Sequence, residues 1–130
     1  MRDISDKSDI KIFVDSFYTK VQKDALLGPV FAAKIQDQGW PKHLERMYSF
    51  WNTVLFSQVD YRGNPFAKHA PLPLEAKHFE RWVGLFKGTI DEYFAGAKAE
   101  DAKDRAEKMG QLFAAKIAYL RANDQYRNIL

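Results

Sequence analysis

The chain has 130 residues, no cysteine, and 20 basic against 17 acidic side chains, a net charge of +3. That length suits a single domain over residues 1–130, and the missing cysteine excludes disulfide frameworks, thiol nucleophiles, zinc ribbons and iron–sulfur clusters. Both signs of charge are interspersed with no dense Lys/Arg run, so neither a nucleic-acid partner nor an assembly beyond a monomer is expected.

Residues Met1 to Lys11 alternate charge and polarity and do not read as a signal peptide. No stretch approaches the roughly 18–20 consecutive apolar residues that a membrane span needs. The expectation is a cytoplasmic protein with no membrane association. The unusual quantity is the aromatic content of 15%, from 10 Phe, 6 Tyr and 3 Trp. Such rings either fill a dense core or line a flat apolar ligand.

Periods near 3.6 residues recur and strict alternation does not, so the chain is all-α. The first helix opens at Ser8, a capping residue, and carries Ile10, Phe13, Val14, Phe17, Tyr18 and Val21 on one stripe. It ends near Asp24, before the turn Leu26-Leu27-Gly28-Pro29. A short segment from Pro29 to Ile35 follows, and Asp37-Gln38-Gly39 breaks it. Pro41 suits the first turn of the next helix, about Trp40 to Ser57, whose stripe is Trp40, Leu44, Met47, Phe50/Trp51 and Val54/Leu55.

Gln58 to Pro65 is polar, with Gly63-Asn64-Pro65 as turn chemistry. Phe66 to Ala70 has room for only a short helical turn, because Pro71 and Pro73 stop it. Leu74 to Phe94 is the strongest helix, with Phe79, Trp82/Val83, Phe86, Ile90 and Tyr93/Phe94 on one face and Gly96 beyond its end. The last helix covers about Ala99 to Leu120. There is no repeat, low-complexity tract or linker.

Common catalytic templates are absent: no zinc helix of the His-Glu-x-x-His type, no Gly-rich phosphate loop and no nucleophile elbow. Singly, the three histidines each admit a structural reading. His43 lies at the edge of a stripe, His69 at the carbonyl end of a short turn, and His78 near a helix start, where solvation is the simple reading. Tyr18 and Trp82 lie on apolar stripes, yet each carries a polar group that needs a partner when buried. Together these residues suit haem, which needs an imidazole on one side of the iron, flat apolar walls, and placed hydrogen-bond donors on the other. Composition alone does not separate that from a well-filled helical core.

The sequence Phe17-Tyr18, then Leu27-Gly28-Pro29-Val30-Phe31, then His43 followed by Phe50-Trp51, resembles a truncated haemoglobin. So does Lys68-His69-Ala70-Pro71-Leu72-Pro73 followed by His78-Phe79-Glu80-Arg81-Trp82. The resemblance is to group III of that family and spans about Ile10 to Leu120. The Gly-Gly doublets of other groups are missing, which suits group III. The resemblance implies a two-over-two helical sandwich around haem b (iron protoporphyrin IX) and places the chain among oxygen-binding and oxygen-transport proteins of bacterial type. It implies His69 as the metal ligand, Tyr18 as the distal hydroxyl, Trp82 as a second distal donor and His43 at the distal position. Met47 follows one turn after His43, and Phe31, Phe50 and Phe79 match haem-packing positions. Arg46 and Lys68 are candidates for the propionates. His78 matches a position often His in this group, without a known role.

On this reading the iron binds O2, NO, CO, cyanide or peroxide. A polar distal pocket suits tight oxygen retention, NO dioxygenation or peroxidase-like chemistry, and turnover needs an external reductase because the chain has no nucleotide site of its own. The alternatives from other classes are a haem-free helical interaction or sensory module, and a haem carrier.

Overall fold

The structure, a computed structural model, describes residues 1–35, 39–57 and 74–129, with side chains to residue 122. Five helices occupy them and no strand occurs among the described residues. They are α1 (Lys7–Lys23), α2 (Gly28–Lys34), α3 (Trp40–Phe56), α4 (Ala76–Tyr93) and α5 (Ala97–Ile129). Expected features of residues 58–73, among them the Gly63-Asn64-Pro65 turn and the short turn bearing Lys68 and His69, lie outside the described residues.

Helix α1 is the central element: it packs on α2, α3 and α4, while α4 makes its broadest contact with α5. The shared core is aromatic. Phe86 of α4 lies parallel between two indoles, 4.7 Å from Trp51 and 5.9 Å from Trp82 between ring centres. Phe13 and Phe17 of α1 meet Phe86 edge-on at 5.7 and 5.4 Å. Edge-to-face and offset stacking are the favoured ring geometries, so these pairs add to the apolar area they bury.

Two helix boundaries differ from the sequence reading. Asp6, not Ser8, caps α1: its carboxylate accepts from the Asp9 N–H at 3.1 Å. Either residue can cap a helix, and the acid two residues earlier wins because Asp9 is itself held in place from the N-terminus. Helix α5 continues to Ile129, beyond the expected Leu120. No Gly or Pro interrupts that polar stretch, so its intrinsic helicity carries on past Ile117, the last buried residue among those whose side chains are described.

His78 corrects a second expectation. It is not a solvated side chain but is buried, 8% exposed. Its Nδ1 accepts the Glu75 N–H at 2.9 Å, while the Glu75 carboxylate accepts from the backbone N–H of His78. That reciprocal capping box satisfies amides at the α4 start.

The turns need glycine where chain meets chain. At Gly28 a Cβ would lie 2.7 Å from the Gln22 carbonyl oxygen. Gly96 has φ +142°, and a Cβ there would sit 2.5 Å from Asp3 Cγ. That contact exists because Asp3 caps α5, accepting from Lys98 N and Ala99 N, each at 2.9 Å. Burial opposes the Asp3 charge, but these amides and that of Ile4 outweigh it and pull the carboxyl below its usual range.

The same N-terminal segment is clasped by Asp9. Its carboxylate takes Arg2, Ser5 N and Ser5 Oγ, and the Arg2 hydrogen bond is the main reason its acidity is far stronger than usual. A carboxylate with a depressed folded pKa stabilises above its ordinary range, and that stability fades as pH falls. Asp9→Asn is therefore expected to lower stability by about 1–2 kcal/mol at neutral pH, with the gap from the parent closing below about pH 3. Urea midpoints at both pH values check this; a gap that persists in acid removes the charge as its cause.

Candidate functional site

Helices α1, α2 and α3 bring four rings together at one end of the core. Tyr18 lies 4.9 Å from His43, 6.0 Å from Trp40 and 6.1 Å from Phe31 between ring centres. His43 is edge-on to Tyr18 at 86° and to Trp40 at 89°. Phe31 and Trp40 are stacked at 6.3 Å. The placement follows from helical spacing. Trp40 and His43 are three residues apart on α3, so they share a face. Tyr18 shares the buried stripe of α1, and Phe31 lies one turn into α2, which begins at Gly28 close against the end of α1.

From α4, Trp82 completes the group. Its indole interacts with the Tyr18 hydroxyl and favours charge on the phenol oxygen. Tyr18 is 5% exposed, and burial drives its ionisation far above the ordinary phenol value, with the Trp82 hydrogen bond opposing that shift. The phenol is therefore neutral at physiological pH and keeps its proton to donate. Trp82 has one N–H donor, and its interaction with Tyr18 opposes the rise that burial imposes on the phenol.

Trp82 is held in place from its neighbour. Arg81 Nε donates to Asp24 Oδ1 at 2.7 Å, while Oδ2 accepts from Leu26 N and Leu27 N at 3.1 and 3.0 Å. Asp24 thus ties the end of α1 to the turn of α4 that carries Trp82. Burial works against its charge, but the amides and the guanidinium keep its carboxyl below the usual range.

Of the residues expected at the site, Tyr18, Phe31, His43 and Trp82 are brought together. The His43 Nε2 atom is itself buried. Met47 and Phe50 are partly buried against the same core. Phe79 is apart, in a smaller cluster with Leu74 and Ile117, where Phe113 lies 6.4 Å away. Arg46 is exposed on α3. Lys68 and His69 lie outside the described residues. Trp40 is the ring that sequence reasoning placed only on a core stripe; its spacing of one turn before His43 is the signal that marks it.

Among the described residues no helix is long and apolar enough to cross a membrane. The model of the bacterial-like globin family matches residues 3–118. The chain is 35% identical over 88 residues to the group 3 truncated hemoglobin ctb of Campylobacter jejuni, covering 65% of this chain and 69% of that one. The crystal structure of group III truncated hemoglobin from Campylobacter jejuni superposes with a TM-score of 0.83 at 29% identity, over 90% of this chain and 95% of that one. The helical order, the aromatic core and these matches agree: the chain belongs to the bacterial-like globin family, as a truncated haemoglobin of group III.

Proposed function

We propose that this globin binds haem b with His69 as the proximal iron ligand and retains O2, NO and related small ligands against Tyr18, Trp82 and His43. Haem-based binding of small ligands is general to the family. The observation that carries the finer reading is the buried Tyr18 hydroxyl beneath the Trp82 indole.

The residues present fit the group. A porphyrin needs flat apolar walls and few polar atoms, and the Tyr18, Phe31, Trp40 and His43 rings supply that surface. When bound, haem would supply an iron able to take up a diatomic gas. The neutral, buried Tyr18 O–H would be the donor held ready for that gas, and Trp82 would support its oxygen. His43 faces Tyr18 across the same space and controls access to it. The surrounding rings exclude water, which would otherwise compete for the donor. Phe31, Met47 and Phe50 would hold the macrocycle and Arg46 and Lys68 its propionates, whereas Phe79, which the resemblance implies there, packs with Leu74 and Ile117.

A hydrogen bond of this kind stabilises by about 1–3 kcal/mol, so the paired donors slow oxygen release by about ten- to a thousandfold. Retention of that order suits NO dioxygenation or peroxide reduction, with electrons from an external reductase, better than oxygen delivery. The chain acts as a cytoplasmic monomer in this reading. Haemin titration of the purified protein tests it: one equivalent is taken up with an intense Soret band and retained for hours. A preparation that stays colourless overturns the proposal, and rapid transfer of the haem to an apo-acceptor makes the chain a carrier instead.

A further inference from the structure

A series of buried rings runs from the pocket side of α4 to Tyr48 on α3. Trp82 supports Tyr18 and lies parallel to Phe86 at 5.9 Å and 16°. Phe86 lies parallel to Trp51 at 4.7 Å and 16°. Trp51 is three residues after Tyr48, so the two share a face of α3, and both are buried in the same core. The line ends at Tyr48, whose hydroxyl donates to the carboxylate of Asp15, an exposed residue of α1.

Tyrosine and tryptophan are, with cysteine, the side chains most readily oxidised by one electron, and this chain has no cysteine. The two indoles face each other through one phenyl ring that is itself hard to oxidise but bridges them. The terminal phenol differs from an ordinary core tyrosine in having a carboxylate held against its proton. A neutral phenol loses an electron far more easily when its proton can leave with it. Burial, then the Asp15 hydrogen bond, hold the Tyr48 proton in place until that happens.

From this geometry we infer that Trp82, Trp51 and Tyr48 form an oxidation relay, through which a one-electron donor at the α1–α3 surface serves hydroperoxide reduction in the pocket. The inference rests on the haem reading proposed above. In one pass Tyr48 yields an electron towards Trp51 and its phenolic proton crosses to Asp15, leaving a phenoxyl radical and a carboxylic acid. The external donor returns the electron and Asp15 returns the proton, restoring the phenol. Two passes supply two electrons. With two protons from solvent, these convert one hydroperoxide to an alcohol and water, or hydrogen peroxide to two waters.

The relay explains why the oxidisable rings need not touch the reductant, and it sets the class of donor. A molecule too large for the pocket, or too charged to enter it, still serves. Lys11 stands 5.5 Å over the Tyr48 ring, giving that patch a cation beside the Asp15 carboxylate.

The test uses haem-loaded protein, hydrogen peroxide and hexacyanoferrate(II), a charged donor excluded from an apolar pocket. Electron paramagnetic resonance after rapid freezing reads the tyrosyl radical directly. Tyr48→Phe and Trp51→Phe keep the ring packing and remove the oxidisable group. Each is expected to lower both the radical signal and hexacyanoferrate oxidation by about tenfold, with oxygen dissociation unchanged within about twofold. Asp15→Asn keeps a hydrogen-bond acceptor but not a base, and is expected to slow radical formation without altering haem uptake. A parent-level radical and turnover in both phenylalanine variants overturns the relay while leaving the haem site standing. Failure of the parent to take up haem overturns both.

Discussion

Tyr18→Phe is expected to speed dioxygen release by about ten- to a hundredfold. The substitution removes a single oxygen atom and keeps the ring that meets Phe17, Phe31, Trp40 and His43. What is lost is the proton donor and, with it, the route by which Trp82 acts. The indole favours charge on the hydroxyl oxygen, and a hydroxyl so favoured donates its proton more strongly. Trp82→Phe therefore has the same sign and a smaller size, because the phenol remains with a weaker dipole. Carbon monoxide, which carries little charge on iron, is the internal control: its release changes by no more than about twofold in either variant. Stopped-flow exchange of oxygen against excess carbon monoxide measures both. An oxygen rate within about twofold of the parent for Tyr18→Phe removes it as the main donor, and a larger effect from Trp82→Phe reverses the order argued here.

The helical stripes were legible because burial imposes a period on the sequence. Ile10, Phe13, Phe17 and Val21 repeat at three or four residues, and all are buried on α1. Tyr18 stood out because a phenol on such a stripe needs a partner, and its partner is another stripe residue with one donor. The resemblance named the distal residues and His69 together. The sequence could not announce geometry set by chain crossings. Phe79 shares the α4 face with Trp82 by number, yet it packs with Phe113 and Ile117 in a separate cluster, because α5 approaches α4 on that side. His78 looked solvated because its spacing says nothing of Glu75, whose backbone N–H it accepts. Tyr48 was not on the stripe as read, since its partner Asp15 is 33 residues away on another helix. Asp3 and Asp9 likewise read as a polar leader, and only their acceptors' reach to Lys98 and Arg2 makes them a clasp.

His69→Ala carries the largest expected loss. The proximal imidazole is the covalent tie between iron and chain in this proposal, and a neutral ring nitrogen is the ligand that ferrous haem keeps. Removing a hydrogen-bond partner of a metal-bound histidine weakens binding by about ten- to a hundredfold, so losing the ligand itself costs at least that much. The variant is expected to release haem to apo-myoglobin on the order of a hundredfold faster than the parent, and its Soret band to lose intensity. Free imidazole in the buffer separates loss of the ligand from loss of the fold, since it restores the band only if the pocket survives. The other histidines are the second control. His43→Leu leaves the iron bond intact and changes ligand entry. His78→Ala removes half of the α4 capping box, lowers stability by about 1 kcal/mol and leaves haem affinity close to the parent's. Three substitutions of the same residue type thus have three separate signatures: retention of haem, access of ligand and stability of a helix end. Haem held by His69→Ala as tightly as by the parent, with His78→Ala pale instead, would move the iron bond to the start of α4.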